Sequence, residues 1–114
     1  MTLLRVAAAA DLAPGMRRRV PFPLGMKSVM VVVEADGIFA MENSCPHHGS
    51  SFDGGDLTIT HVVCPWHFWK VDFRTGECLH NPLVRARTFS IVEQDDVIFV
   101  DVPDELLVVT ETLF

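Results

Sequence analysis

Four side chains with metal-binding chemistry lie in two short motifs, C-P-H and C-P-W-H; they are Cys45, His47, Cys64 and His67. Sixteen residues separate the two motifs. Thiolate and imidazole groups are ligands for zinc and for iron–sulfur clusters. The two motifs therefore predict a metal centre held by two sulfur and two nitrogen atoms, contributed by two separate loops.

Zinc and iron are the two candidate metals for such a centre. Structural zinc sites favour C-x₂₋₄-C and H-x₃₋₅-H spacings, so one residue between Cys45 and His47 is tight for two corners of one tetrahedron. The same spacing suits a [2Fe–2S] cluster in which the thiolate binds one iron and the imidazole binds the other. The spacing favours the cluster, and a structural zinc domain without a redox role is the rival interpretation.

The charge of the ligands gives such a cluster a redox role. Two neutral imidazoles in place of two thiolates remove two negative charges, so the cluster accepts an electron more easily. Such clusters have reduction potentials of about −150 to +300 mV, against about −400 mV for plant-type ferredoxins. The pattern predicts an electron carrier rather than an enzyme. The outer ring nitrogens of His47 and His67 are expected to face solvent, where they offer a route for the electron.

The elements that must position the two motifs have the pattern of β-strands. Apolar, β-branched runs at 28–34 and 37–41 predict a hairpin around the Asp-Gly turn, and those at 87–93 and 97–102 predict a second hairpin around residues 94–96. Arg17-Arg18-Arg19 is interpreted as a strand or loop inside the domain.

The segment between the two hairpins differs in composition, because it concentrates the cysteines, histidines and glycines. Short strands are predicted at 57–59, 61–63 and 69–73, with a turn at 74–76. The chain, residues 1–114, is interpreted as a single domain: a β base with an inserted cluster-binding subdomain at about 43–82. Gly54 and Gly55 are either ordinary turn residues or positions where the backbone approaches the cluster closely.

Composition limits the classes of partner. The formal charge of −6 argues against a nucleic-acid partner; it suits either docking on a basic redox partner or solubility alone. No segment approaches the ~20 apolar residues of a membrane helix, and no secretion signal is evident, so no membrane association and a cytoplasmic location are expected. The oligomeric state stays open.

The other cysteine and histidines are interpreted as structural or surface residues. Three cysteines cannot all pair, and Cys78 is expected to be a small core residue. His48 adjoins a proposed ligand, but a third imidazole there would overfill the site. His61 and His80 are predicted to be structural.

The two motifs are accompanied by Trp69, the D-F-x-T-G turn at 72–76 and the Asn-Pro pair at 81–82. With these features the chain resembles the Rieske-type ferredoxins, above all the small soluble ferredoxins of ring-hydroxylating dioxygenase systems. The small subunits of nitrite reductases are similar in layout. The resemblance implies an all-β fold of three antiparallel sheets and one [2Fe–2S] cluster, with Cys45 and Cys64 on one iron and His47 and His67 on the other.

The resemblance also implies partners. It indicates a shuttle that carries single electrons from a flavoprotein reductase to a terminal oxygenase or a similar acceptor. The alternative is a bound electron-transfer subunit of a larger oxidoreductase, such as a nitrite reductase. Terminal oxygenase activity itself would require a mononuclear iron site in a further catalytic domain.

Departures from related proteins sharpen this interpretation. Rieske proteins of respiratory complexes carry a disulfide at the positions of Ser50 and Trp66, and Ser and Tyr donors to the cluster sulfurs at the positions of Trp69 and Val71. Phe68 replaces a residue that is usually small or polar. Fewer donors leave the reduced cluster less stabilised, so the potential is expected near the low end of the Rieske range.

Overall fold

The fold is known from a computed structural model, which describes residues 2–23, 27–44, 52, 55, 57, 58, 61–65, 69–81 and 83–104. In the described part there are eight strands and one 3₁₀ turn (Ala9–Asp11). The strands are β1 (Thr2–Ala8), β2 (Arg17–Pro21), β3 (Ser28–Glu34), β4 (Gly37–Glu42), β5 (His61–Val63), β6 (Lys70–Asp72), β7 (Thr88–Gln94) and β8 (Val97–Val102).

Six of these strands form one antiparallel sheet in the order β1-β8-β7-β4-β3-β2, and β5 pairs with β6 separately. The large sheet consists of two three-stranded halves, which are joined where Ala40 and Met41 of β4 pair with Phe89 and Thr88 of β7. Its edge strands β1 and β2 approach each other, so the sheet is nearly closed. The expected all-β fold of three antiparallel parts is confirmed, with two of the parts continuous through β4 and β7.

Strand β3 has the bounds that its sequence predicts, and both of its faces are covered. Met30 and Val32 pack into one core, which they share with β5 and β6, while Val29 and Val31 pack into a second core inside the large sheet. All four side chains are at most 1% exposed. A strand buried on both faces requires an unbroken apolar run, which explains the sequence SVMVVVE. The two cores separate a β base from a smaller unit around β5 and β6.

The second predicted hairpin is also present as β7 and β8, joined by Asp95 and Asp96. Both aspartates have positive φ, 52° and 63°. Two consecutive left-handed residues make the tight turn that matches the twist of a hairpin, and Asp tolerates this conformation better than most residues. By contrast, strand β1, which pairs with β8, was not predicted from the alanine-rich N-terminus.

The smaller unit is attached to the base by a charged and aromatic contact. Arg74, just after β6, donates two hydrogen bonds to the Asp36 carboxylate in the β3–β4 turn, at 2.6 and 3.1 Å. Its guanidinium also lies 4.5 Å from the centre of the Phe39 ring. Because Arg74 donates these bonds, the pKa of Asp36 is lowered and that of Arg74 is raised. The contact fixes the unit around β5 and β6 against the first hairpin.

The strand predicted at 57–59 is present only as a bridge between Leu57 and Val62, and residue 59 lies outside the described part. Thr58 and His61 close the turn between them, because each donates its backbone N–H to an oxygen of the other. Strand β6 is shorter than the predicted 69–73. No helix in the described ranges is long and apolar enough to cross a membrane.

Candidate metal centre

The second motif lies at the connection of the β5–β6 hairpin. The ladder runs from the His61–Asp72 pair to the Val63–Lys70 pair. One step further, Cys64 donates its backbone N–H to the carbonyl oxygen of Trp69 at 2.8 Å. Residues 65–68 make the connection between them. The hairpin therefore places Cys64 at the base of its connection; His67, three residues later in the sequence, lies outside the described residues.

The Cys64 thiol is held inside the core of the smaller unit. Cys64 is 0% exposed and forms no disulfide with another described cysteine. It belongs to the same core as Val62, Val71 and Phe73. A buried thiol at the base of a loop suits a ligand to a shielded metal centre, because the surrounding side chains exclude water and fix its position.

The first motif follows the end of β4. Cys45 and His47, together with His48, lie outside the described residues, but the flanks of their segment are described. On the near side, Asn43 is 7% exposed; on the far side, Phe52 is fully buried. The Phe52 backbone N–H donates to Asn43 Oδ1 at 2.8 Å. The two flanks of the first motif are thus joined by one side chain, and no pattern of residue types had marked Asn43 in advance.

Gly55 connects the flank of the first motif to the strand that leads to Cys64. A Cβ atom on Gly55 would lie 1.9 Å from the Val63 carbonyl oxygen and 3.2 Å from Pro65 Cδ. The Gly55 carbonyl oxygen accepts a hydrogen bond from Arg17 Nη1 of β2 at 2.9 Å. The structure thus shows that Gly55 is required for a close backbone-to-backbone contact with Val63; its approach to the cluster stays a prediction. Gly54 lies outside the described residues.

The remaining described cysteine and histidines have the structural environments that were predicted. Cys78 is 4% exposed, and its backbone forms an antiparallel β-bridge with Val71. His61 is half-buried in β5, and the exposed His80 ring stacks on Trp69, with centroids 5.8 Å apart. Within the described ranges, no three His, Cys, Asp or Glu side chains converge as a metal site.

Comparison with known proteins finds relatives that agree with the resemblance noted from the two motifs. Residues 2–96 match the family model described as the Rieske [2Fe-2S] domain. The chain is 32% identical over 102 residues to the ferredoxin component of the p-cumate 2,3-dioxygenase system of Pseudomonas putida, covering 88% of this chain and 86% of that protein.

Solved structures share the fold. The ferredoxin of carbazole 1,9a-dioxygenase from Nocardioides aromaticivorans IC177 superimposes with a TM-score of 0.73 and 29% identity, covering 88% of this chain and 97% of that chain. A complex of reduced oxygenase and oxidized ferredoxin in carbazole 1,9a-dioxygenase gives 0.75 and 28%, covering 86% and 91%. A nitrite reductase small subunit from Mycobacterium tuberculosis gives 0.70 and 23%, covering 87% and 93%, and shares the fold alone.

Proposed function

The chain belongs to the Rieske [2Fe-2S] domain family and carries one Rieske [2Fe–2S] cluster, and on this premise we propose that it is an electron-transfer protein of an oxygenase system. In this role it accepts single electrons from a flavoprotein reductase and passes them to a terminal oxygenase. The observation that carries the proposal is the 32% identity to a dioxygenase ferredoxin component across most of both chains. The solved complex of a similar ferredoxin with its oxygenase supports the choice of acceptor.

The proposed ligands are Cys45 and Cys64 for one iron and His47 and His67 for the other. The environment of Cys64 supports this assignment, because its thiol is buried at the base of the hairpin loop and has no disulfide partner among the described residues. The cluster supplies a centre that gains and loses one electron. The buried position of Cys64 supports a cysteine side that is shielded from water, and the histidines are proposed to form the exposed side.

The division of the chain supports the same role. We propose a single domain over residues 1–114 with a cluster-binding subdomain at about 43–82. Two separate cores support this division, one of which lies inside the large sheet and the other between β3–β4 and β5–β6. The Arg74–Asp36 contact and the Arg17–Gly55 contact join the two parts. These contacts would hold the proposed cluster-binding subdomain in a fixed position on the β base.

The two positions that carry Ser and Tyr donors in respiratory Rieske proteins support a low potential. Val71 is 0% exposed in the core and has no donor on its side chain, while the Trp69 ring stacks on His80. Neither side chain supplies an O–H donor to a cluster sulfur. We expect a midpoint potential below about 0 mV, in the lower half of the Rieske range.

An EPR-monitored redox titration of the purified protein over a range of pH tests the cluster, its potential and the coupling of the histidines to protons. Iron and acid-labile sulfide in equal amounts, with a low midpoint potential, are the expected results. A colourless protein that contains zinc and no sulfide would contradict the proposal, and a midpoint potential well above zero would contradict its low-potential part.

The choice of partner needs a separate experiment. The chemically reduced protein is mixed with a purified terminal oxygenase of a dioxygenase system, and reoxidation of the cluster is followed by absorbance. We expect rapid reoxidation and a free protein on gel filtration. Purification in a stable complex with a nitrite reductase would instead establish the bound-subunit alternative.

A further inference from the structure

The start of the first ligand segment is tied to the β base through one buried amide. Asn43 is 7% exposed and directly follows β4. Its backbone N–H donates to the Ser28 carbonyl oxygen at 3.0 Å, which extends the β3–β4 ladder by one residue. Its side-chain Nδ2 donates to Ser28 Oγ, also at 3.0 Å. The position of Asn43 is therefore fixed by two hydrogen bonds to Ser28, a buried residue of β3.

The oxygen of the same amide binds Phe52, the described residue that follows the first motif. Asn43 Oδ1 accepts the backbone N–H of Phe52 at 2.8 Å, and the Phe52 side chain is 0% exposed in the core that also contains Cys64. Eight residues, 44–51, separate Asn43 from Phe52, and the proposed ligands Cys45 and His47 are among them. The Asn43 amide thus joins the two ends of this segment, because Nδ2 donates to Ser28 and Oδ1 accepts from Phe52.

We propose that Asn43 is a positioning residue for the cluster: its amide fixes the two ends of the first ligand segment against strand β3 and against the core around Cys64. This inference rests on the ligand assignment proposed above. The hydrogen bonds are buried, so water does not replace them when the amide is removed. Loss of these bonds is therefore expected to displace the segment that carries the proposed ligands Cys45 and His47. Outer residues that orient metal ligands typically change metal affinity by about 10- to 100-fold.

Asn43→Leu tests this inference, because leucine fills a similar volume and offers neither donor nor acceptor. We expect it to lose its cluster to a chelator about tenfold faster or more, with broadened EPR lines and a shifted midpoint potential. Asn43→Asp retains an acceptor for the Phe52 N–H, and the Ser28 hydroxyl can rotate to donate to its second oxygen. We expect Asn43→Asp to restore slow cluster loss to within about threefold of the unmutated protein.

Val100→Ala is the matched control, because Val100 is 0% exposed in the other core, inside the large sheet. It lowers the unfolding temperature by removing buried apolar volume, but it touches neither ligand segment, so its EPR spectrum and cluster-loss rate should stay unchanged. Cluster loss is measured at the same number of degrees below each variant's unfolding temperature.

Two outcomes would overturn the inference. One is an Asn43→Leu protein that keeps its cluster and EPR spectrum like Val100→Ala. The other is an Asn43→Asp protein that loses its cluster as fast as Asn43→Leu. If the unmutated protein holds no [2Fe–2S] cluster, the proposed function fails instead, and the two failures are distinguished by its iron and sulfide content.

Discussion

The substitution Gly55→Ala tests the backbone contact between Gly55, which follows the first ligand motif in the chain, and Val63, which directly precedes Cys64. Its added Cβ would lie 1.9 Å from the Val63 carbonyl oxygen, whereas real Cβ atoms essentially never approach closer than 3.0 Å. The two backbones must therefore separate by about 1.1 Å. The Val63 oxygen belongs to a strand paired with β6, so it cannot rotate away as a flexible side chain would.

The magnitude follows from the contacts that this separation disturbs. Overpacking of a tight interior costs about 1–3 kcal/mol. The hydrogen bond from Arg17 to the Gly55 carbonyl oxygen, now 2.9 Å long, is stretched if Gly55 moves away from β2. Such a bond to a charged donor contributes about 1.5–3 kcal/mol when buried and less here, where it is only partly buried. We expect Gly55→Ala to lower the free energy of unfolding by about 2–4 kcal/mol.

Urea unfolding and cluster content measure the two expected effects of Gly55→Ala. Because the separation opens the space between the segments that carry Cys64 and the first motif, the purified variant should contain less iron and acid-labile sulfide per chain. Gly15→Ala is the control. Among the described residues, no atom beyond its two chain neighbours lies within 4 Å of its added Cβ, and its φ is +91°. Its cost should therefore be left-handed strain of about 1–2 kcal/mol, and its cluster content should be normal.

The proposed effect of this backbone contact is wrong if Gly55→Ala unfolds within about 0.5 kcal/mol of the unmutated protein, which is the range of an ordinary surface substitution, and holds a full cluster. Equal losses of cluster in the Gly55→Ala and Gly15→Ala proteins would also refute it, because the effect would then not depend on contact between the segments.

Three further predictions concern other contacts. Gly76→Ala combines a left-handed φ of +83° with a Cβ 2.0 Å from a backbone oxygen, and should lower the free energy of unfolding in urea by about 2–5 kcal/mol. Asp36→Asn removes the ion pair with Arg74. Since Arg74 lowers the pKa of Asp36, the pair stabilises the fold above the ordinary carboxyl pKa of about 3.9. The difference in unfolding temperature between Asp36→Asn and the unmutated protein should therefore be constant from about pH 7 to pH 5 and shrink as the pH falls through the lowered pKa; a difference that grows towards acid pH would contradict this sign. Trp69→Ser places an O–H donor at the position where respiratory Rieske proteins carry one. It should raise the midpoint potential by about 40 mV for each kcal/mol by which the new bond strengthens on reduction, whereas His80→Ala, which also removes the ring stack, should not raise it.

Local pattern was sufficient to predict much of the chain. The bounds of β3 and β8 follow from apolar, β-branched runs that end at turn residues, and β5 follows in the same way. The donor types and their spacing in C-x-H and C-x-x-H led to the cluster and the family, both of which the comparisons support. Ligand type and short-range period are properties of neighbouring residues, so they can be read without knowledge of the fold.

Contacts between distant residues required the tertiary structure. Strand β1 pairs with β8 almost a hundred residues later, and the sequence of β1 carries no signal of that partner. Asn43 could only be identified once Ser28 and Phe52 were seen on either side of its amide. Gly55 stood out in the sequence, but only the structure showed that the group it approaches is the Val63 carbonyl.

The sequence by itself therefore determined the kind of centre, because the chemistry of a cluster depends on which atoms are offered to it. The tertiary structure alone decided how the two ligand segments are brought together. The buried Asn43 amide joins the two flanks of the first motif, and Gly55, bonded by Arg17 of β2, contacts the Val63 backbone just before Cys64. Each of these interactions joins residues that the chain order keeps apart, and only the packing of the smaller unit on the β base makes them neighbours.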